Sequence, residues 1–177
     1  LSYENIADKA TVAGVEVEIR KNLFVRPVSN AAHGMNKLSL GLNGSYIYTN
    51  AKMPLATVTT GSQLEGAAPW IVNFDFSHNF TKGERSFVNT LVLNYVSDKI
   101  YTIGTQGYQD IMEQGVLTLD FVSQAKLNKH LSFNLKARNL LNPSYKLSRK
   151  ANENGEKVIL NDYKKGINIS LGVSCTF

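Results

Sequence analysis

Apolar and polar residues alternate along most of this chain, the period-2 pattern of strands that turn one face to an apolar environment. The pattern occupies seven segments, near 12–23, 36–49, 69–80, 86–97, 115–127, 131–141 and 165–177. In the first, Val15, Val17 and Ile19 alternate with Glu16, Glu18 and Arg20. In the second, Leu38, Leu40, Leu42, Tyr46 and Tyr48 alternate with Ser39, Asn43 and Ser45. Trp70, Val72, Phe74 and Phe76 then oppose Asn73, Asp75 and Ser77, and Leu91, Leu93 and Tyr95 oppose Thr90, Val92 and Asn94. Leu117, Leu119 and Phe121 face away from Thr118 and Asp120; Leu131, Phe133, Leu135 and Ala137 face away from Ser132, Asn134, Lys136 and Arg138. The last segment is the most regular, with Ile167, Ile169, Leu171, Val173, Cys175 and Phe177 on one side. No segment carries the 3.6-residue period of an amphipathic helix. The pattern predicts an all-β chain of about seven antiparallel strands.

The connectors have a rhythm of their own. Those at 81–85 and 128–130 are short, the link at 24–35 is intermediate, and those at 50–68, 98–114 and about 142–164 are long. Short turns on one rim and long loops on the other characterise a transmembrane β-barrel of the outer-membrane type. A soluble sandwich would show Greek-key connections instead. Centring the 81–85 turn between Gly83 and Glu84 pairs residues whose numbers sum to 167. Phe76 then faces Leu91, Phe74 faces Leu93, Val72 faces Tyr95, Asp75 faces Val92 and Asn73 faces Asn94, so apolar residues meet on one surface. Across the 128–130 turn, Asp120 is expected opposite Lys136 or Arg138 as a cross-strand ion pair.

The aromatic residues indicate which face meets lipid. Phe80, Phe87, Phe121 and Phe133 fall near the end that carries Phe177, and Tyr46, Tyr48, Trp70 and Tyr95 fall near the other. All lie on the apolar surface, as two girdles at the two lipid–water interfaces. The polar surface then lines a lumen. Composition agrees with one folded domain: 177 residues, 43% hydrophobic and 19% charged. No apolar run exceeds three residues, whereas a spanning helix needs about 20, so a helical membrane protein is excluded. The net charge of +5 is spread along the chain without a basic arm and does not point to nucleic acid. The single Cys175 can form no disulfide within the chain, and no Cys/His cluster suggests a metal.

Three stretches carry a family resemblance. Ala10-Thr11-Val12-Ala13-Gly14-Val15-Glu16-Val17-Glu18 resembles an A-x-x-x-G-V-E-x-E strand. Leu64-Glu65-Gly66-Ala67-Ala68-Pro69-Trp70-Ile71-Val72-Asn73 resembles an L-x-G-x-x-P-x-x-x-N box at the entry to a strand. Arg138-Asn139-Leu140-Leu141-Asn142-Pro143 resembles an N-L-[LF]-[ND] stretch before the last strand. In this order, with a terminal Phe, they resemble the C-terminal β-barrel portion of a TonB-dependent outer-membrane receptor, with the flavour of those from Bacteroidota. The resemblance implies a larger barrel of about 22 strands with a plugged lumen. It also implies location in the bacterial outer membrane, coupling to TonB through an N-terminal part, and import of a bulky nutrient: siderophore, cobalamin, haem, glycan or peptide. Further partners implied are lipid and lipopolysaccharide, the barrel-assembly machinery and a surface lipoprotein lid. The chain starts with Leu rather than Met and holds no plug domain, so residues 1–177 are expected to be the C-terminal piece of a longer receptor. Two other architectures share the alternation: a complete eight-stranded outer-membrane barrel, with residues 1–9 contributing a strand, and a soluble β-barrel or adhesin domain.

Catalysis finds no support, and no cofactor is expected. His33, His78 and His130 have no neighbours that suggest a triad, and Glu16 and Glu18 beside Arg20 read as a solvated lumen wall rather than a glycosidase pair. Gly61, Gly66, Gly104 and Gly107 form no phosphate-loop pattern. Lys146, Arg149, Lys150, Lys157, Lys164 and Lys165, interleaved with tyrosines, are read as meeting lipid phosphates or solvent rather than nucleic acid. Ligand contacts are expected from the long loops, at Tyr101, Tyr108 and Gln109 in one and Asn152, Asn154 and Tyr163 in another. Ser170, Gly172, Cys175 and Phe177 fit an assembly signal on the terminal strand, with Gly172 leaving room on the lumen face for a close neighbour.

Overall fold

The computed structural model describes residues 9–28, 34–52, 63–104, 108–151 and 156–177. The link residue His33, the loop residues Gly61, Gly107, Asn152 and Asn154, and the first eight residues of the chain lie outside them. Every described element is a strand, and all pairings are antiparallel. Seven strands form the main sheet: β1 (Lys9–Pro27), β2 (Met35–Lys52), β3 (Trp70–Lys82), β4 (Arg85–Val96), β7 (Val116–Lys126), β8 (Leu131–Arg138) and β11 (Asn168–Cys175). They stand in chain order, and each of the seven expected segments supplies one.

The expected register holds residue by residue. Phe76 pairs with Leu91, Phe74 with Leu93, Val72 with Tyr95, Asp75 with Val92 and Asn73 with Asn94. Gly83, at φ +60, supplies the left-handed residue of the two-residue turn that fixes this register. The rows continue across neighbouring strands, Leu42–Phe74–Leu93–Leu119 on the apolar face and Asn43–Asn73–Asn94–Thr118 on the polar one. In β1 the register shifts between Asn22 and Phe24. This bulge re-phases the strand, so Phe24 returns to the apolar face opposite Leu38 and Arg26 stands opposite Asn36.

The expectations needed four corrections. The long loops at 98–114 and 142–164 are not irregular; they contribute β5 (Lys99–Thr102), β6 (Ile111–Glu113), β9 (Ser144–Lys150) and β10 (Lys157–Lys164). These form a second sheet of order β10-β9-β6-β5. The predicted 131–141 strand stops at Arg138, because Asn139 takes φ +58 and leaves the ladder. Asp120 makes no ion pair among the described residues; its Oδ1 accepts from Asn139 N at 2.8 Å, at the point where the chain turns away. Phe121 shares a row with Leu91 and Phe76 rather than with the Phe80–Phe87 pair, which places it in the aliphatic band and not in the girdle.

Among the described residues no sheet packs against the apolar face. Among the described residues no large side chain is fully buried, and the few buried apolar ones are Ala51, Ala68, Ile100 and Ala137. A soluble sandwich or calyx would bury this face as its core. The sheet is also open: β1 and β11 stand at its two ends, with Val15 60% and Leu171 72% exposed, and the described strands do not close into a small barrel. Around β1, β2 and β3 the polar residues on the opposite face bond to one another. Glu18 pairs with Arg20, Arg20 reaches Asp75 at 3.8 Å, Asn43 donates to Glu16 at 2.6 Å, and Asn73 donates to Asn43 at 3.4 Å. Gly41 lies between Arg20 and Asp75 in the ladder, and a Cβ there would collide with the Asp75 carboxylate.

The two faces should respond oppositely to charge. Arginine at Leu40, Val72, Leu93 or Leu119 is expected to cost ~2–4 kcal/mol of folding stability in lipid, while arginine at Asn73, Thr90 or Thr118 is tolerated. Urea unfolding in lipid vesicles measures this, and equal sensitivity of both faces would refute the lipid-facing assignment.

Candidate functional site at the barrel mouth

The short connections of the main sheet gather at one rim and the second sheet rises from the other. Three local devices build this second rim. The first is the 64–70 box, where Gly66 at φ +78 completes a turn closed by Ala67 N to Leu64 O at 3.3 Å. Gly66 N donates to Ile100 O at 2.8 Å, Leu64 N to Thr49 Oγ1 at 3.0 Å and Ile47 N to Pro69 O at 2.9 Å, so the turn ties β2 to β5.

The second device is the base of the β5–β6 arm. Asp98 Oδ1 accepts from Gly115 N at 2.6 Å, and Ser97 exchanges two bonds with Trp70, each 3.0 Å long. At the arm's tip, Asp110 Oδ1 accepts from Gly104 N at 2.8 Å. Gly104 permits this closure because any Cβ there would strike Tyr108 O.

The third device is the 138–143 stretch. Asn139 and Asn142, at φ +58 and +43, reverse the chain as it leaves β8; asparagine tolerates this region better than other side chains. Asn139 Nδ2 donates to Gly166 O at 2.7 Å, Gly166 N donates to Asn142 Oδ1 at 3.1 Å, and Leu140 N donates to Leu119 O at 2.8 Å. These bonds clamp both ends of the β9–β10 hairpin to the top of the main sheet.

A cavity of about 280 Å³ lies where the two sheets meet. Asn94, Val96, Val116 and Thr118 form its floor, from the polar face of β4 and β7. Ser97, Lys99, Glu113 and Gln114 come from the β5–β6 arm, and Tyr145 and Lys165 from the β9–β10 arm. Lys99 and Glu113 are register partners joined at 3.3 Å. Gln114 N donates to Lys146 O at 2.9 Å and Gln114 Nε2 to Ser148 Oγ at 3.3 Å, which locks the two arms together. Lys165 Nζ stands 3.8 Å over the Tyr145 ring and has no carboxylate partner among the described residues. Such a wall offers one cation outside any ion pair, Lys165, one aromatic platform and several amide and hydroxyl groups to a polar ligand.

The expected loop residues are distributed unevenly around this rim. Tyr163 stacks on Tyr145, ring centroids 5.6 Å apart, and so backs the cavity wall from behind. Tyr108 and Gln109 line a separate cleft of about 260 Å³ with Arg149, Lys150, Ala151, Val158 and Leu160, the Arg149 guanidinium 5.1 Å from the Tyr108 ring centre. Tyr101 is half exposed on β5, the edge strand of the second sheet, and lines none of these cavities. The sequence assigns Asn94 only to the polar face and Lys165 only to lipid phosphates or solvent, and it singles out none of Lys99, Glu113, Gln114 and Tyr145. They come together only through the pairing of β6 with β9, which joins Ile111 to Arg149 across the chain.

Residues 1–140 match the family model described as TonB dependent receptor-like, beta-barrel. The chain belongs to that family. No curated protein and no solved structure matches it. Members of the family are outer-membrane receptors and transporters rather than enzymes, and they work with TonB. In this receptor barrel the apolar face is accordingly the lipid-facing one and the polar face lines the lumen.

The asparagine reversal yields a direct test. Asn139→Ala should cost about 1–2 kcal/mol, because alanine resists positive φ and the bond to Gly166 is lost. Asn139→Gly should cost less, since it keeps the backbone while losing only that bond. Equal losses for the two variants in urea unfolding would show that the backbone reversal is not what asparagine supplies.

Proposed function

We propose that residues 1–177 form the C-terminal part of a receptor barrel of about 22 strands, preceded by a plug domain. On this reading the receptor resides in the bacterial outer membrane and imports a bulky nutrient. Force relayed through TonB shifts the plug once the nutrient has docked at the extracellular mouth. The observation that carries the reading is the family match over residues 1–140 on a sheet whose apolar face is uncovered and whose polar face is lumen-like. Siderophore, cobalamin, haem, glycan and peptide all suit the family, and a lipoprotein lid is one further partner.

The mouth cavity supports a contribution of this segment to ligand capture. A ligand oxygen, carboxylate or hydroxyl, would meet Lys165, with a ring or sugar face on Tyr145 and hydrogen bonds to Asn94, Gln114 and Thr118. Tyr108, Gln109 and Arg149 offer a second contact point farther out on the rim. Replacing Tyr145 and Lys165 together by alanine should weaken uptake affinity roughly tenfold or more, about 1–2 kcal/mol. The measurement is transport of a panel of the five nutrient classes by cells carrying the intact receptor, at equal surface levels. Unchanged uptake of whichever nutrient is taken up would remove this cavity from the binding path.

The terminal strand supports the proposed assembly role. β11 pairs with β8 on one side only, Ser174 with Ser132 and Gly172 with Asn134, which leaves its other edge open for a partner strand. His130 fastens its end: Thr176 N donates to His130 O at 2.9 Å, and His130 Nδ1 lies 2.7 Å from Thr176 O. Gly172 leaves a notch on the lumen face, where a Cβ would meet nothing closer than Asn134 at 3.8 Å. Ser170 sits near this notch, and Cys175 and Phe177 are exposed on the lipid side. Unpaired strand edges are costly in lipid, so the barrel needs a machine that templates this edge. Deleting Phe177 should sharply lower outer-membrane levels of the intact receptor while synthesis and export continue, as read by heat-modifiable mobility and surface labelling. Normal surface levels would limit Phe177 to a role as one more interfacial ring.

A further inference from the structure

Charge is sorted between the two faces of the main sheet. All four carboxylates of its seven strands, Glu16, Glu18, Asp75 and Asp120, stand on the lumen face. On the lipid face near the periplasmic rim the charged residues are cations: Arg26 on β1, Lys82 on β3 and Arg85 on β4. Lys82 and Arg85 are register partners that flank the Gly83-Glu84 turn, and neither is ion-paired with Glu84.

Above this cationic pair the β3–β4 hairpin presents an ordered series. The next row is aromatic, Phe80 beside Phe87 with ring centroids 6.2 Å apart. The row beyond it is polar, His78 beside Asn89, continued by Ser123 on β7. Aliphatic and aromatic rows follow, Phe76 with Leu91 and Phe74 with Leu93. Each row lies about 5 Å deeper than the last, from a rise of about 3.3 Å per residue and a tilt of about 40°. The polar row is therefore inside the girdle, where uncompensated polar groups are costly.

The hydrogen bonding there is half complete. His78 Nε2 donates to Asn36 Oδ1 at 2.8 Å, since a carboxamide oxygen can only accept. Ser123 Oγ donates to Asn89 Oδ1 at 2.7 Å. Both amide oxygens are thus engaged, which leaves the NH2 groups of Asn36 and Asn89 as donors without a partner among the described residues. Cations at the rim, the Asn36 amide one row inside beside Phe80, the Asn89 amide one row farther and an apolar surface beyond follow the order of groups along one lipid: phosphate, ester carbonyls, acyl chains.

We propose that the lipid face of the β3–β4 hairpin, with Asn36 of β2, is a binding site for an anionic phospholipid of the periplasmic leaflet. Lys82 and Arg85 hold its phosphate, the amides of Asn36 and Asn89 donate to its ester carbonyls, and Phe76, Leu91 and Leu93 carry its chains. A basic rim with no outward carboxylate in the strands selects an anionic headgroup over a zwitterionic one.

The test uses the intact receptor in lipid nanodiscs or mild detergent, with phosphatidylglycerol and phosphatidylcholine as probes and native mass spectrometry as the readout. The wild type is expected to hold phosphatidylglycerol at least tenfold more tightly than phosphatidylcholine. Lys82→Gln with Arg85→Gln should abolish that preference, and Asn36→Leu with Asn89→Leu should weaken both lipids alike. Retained heat-modifiable mobility confirms that each variant is folded. No preference in the wild type, or a preference unchanged by the Lys82/Arg85 pair of substitutions, overturns the proposal. So does a receptor dimer that dissociates in the Asn36/Asn89 variant with lipid binding unchanged, since the patch would then contact a second copy. Nutrient uptake is read separately, so failure here leaves the transport reading untouched.

Discussion

Inside hydrocarbon no water is present to satisfy a strand's N–H and C=O groups, so each strand must find its partners in its neighbours. The continuous antiparallel ladder from β1 through β4, β7 and β8 to β11 meets that demand, and its register fixes which side chains face lipid and which face the lumen. A slip by one residue would turn Asp75 and Asn73 into the bilayer and Phe74 into the lumen. The tight turn at Gly83 and the bulge after Asn22 keep this phase where the chain could lose it. The ladder stops at β1 and β11, whose outer edges have no partner strand among the described residues.

With the phase fixed, the charges sort themselves. Lumen carboxylates engage Arg20 and the amides of Asn43 and Asn139, and Gly41 gives Asp75 the space to lie toward Arg20. Exposed pairs of this kind contribute little stability individually. Their value lies in keeping acidic groups on the wet face and off the lipid face. The same sorting leaves a cationic rim on the lipid face of the β3–β4 hairpin, with the amide donors of Asn89 and of Asn36 on β2 close by.

The mouth obeys different rules because it stands in water. Its strands are short, and they are held by side-chain and glycine devices: Asp98 on Gly115 and Asn139 and Asn142 on Gly166 at their bases, and Asp110 on Gly104 at a tip. Two of the three sequence boxes turn out to be such devices. Gly66 and the two asparagines are the residues that need positive φ, and their partners lie on other elements. The boxes therefore build the platform on which the cavity sits rather than the cavity itself.

Much of this architecture was legible in the sequence. Period-2 alternation marks a strand and its two faces at once, so seven strands, their faces and the 81–85 register followed from residue order. The sequence did not reveal β6, whose three residues Ile111–Glu113 carry no usable period, or β9, where the alternation of Ser144-Tyr145-Lys146-Leu147-Ser148 is brief and Arg149 breaks it. Nor could it place Asp120, which prefers a backbone N–H at the end of β8 to a cation, because Asn139 turns the chain there. Residue order by itself determined what is periodic: strands, faces and the class of molecule. The tertiary structure alone decided the joining of Lys99, Glu113, Tyr145 and Lys165 around one cavity, because that depends on two distant arms pairing through backbone groups that every residue carries alike.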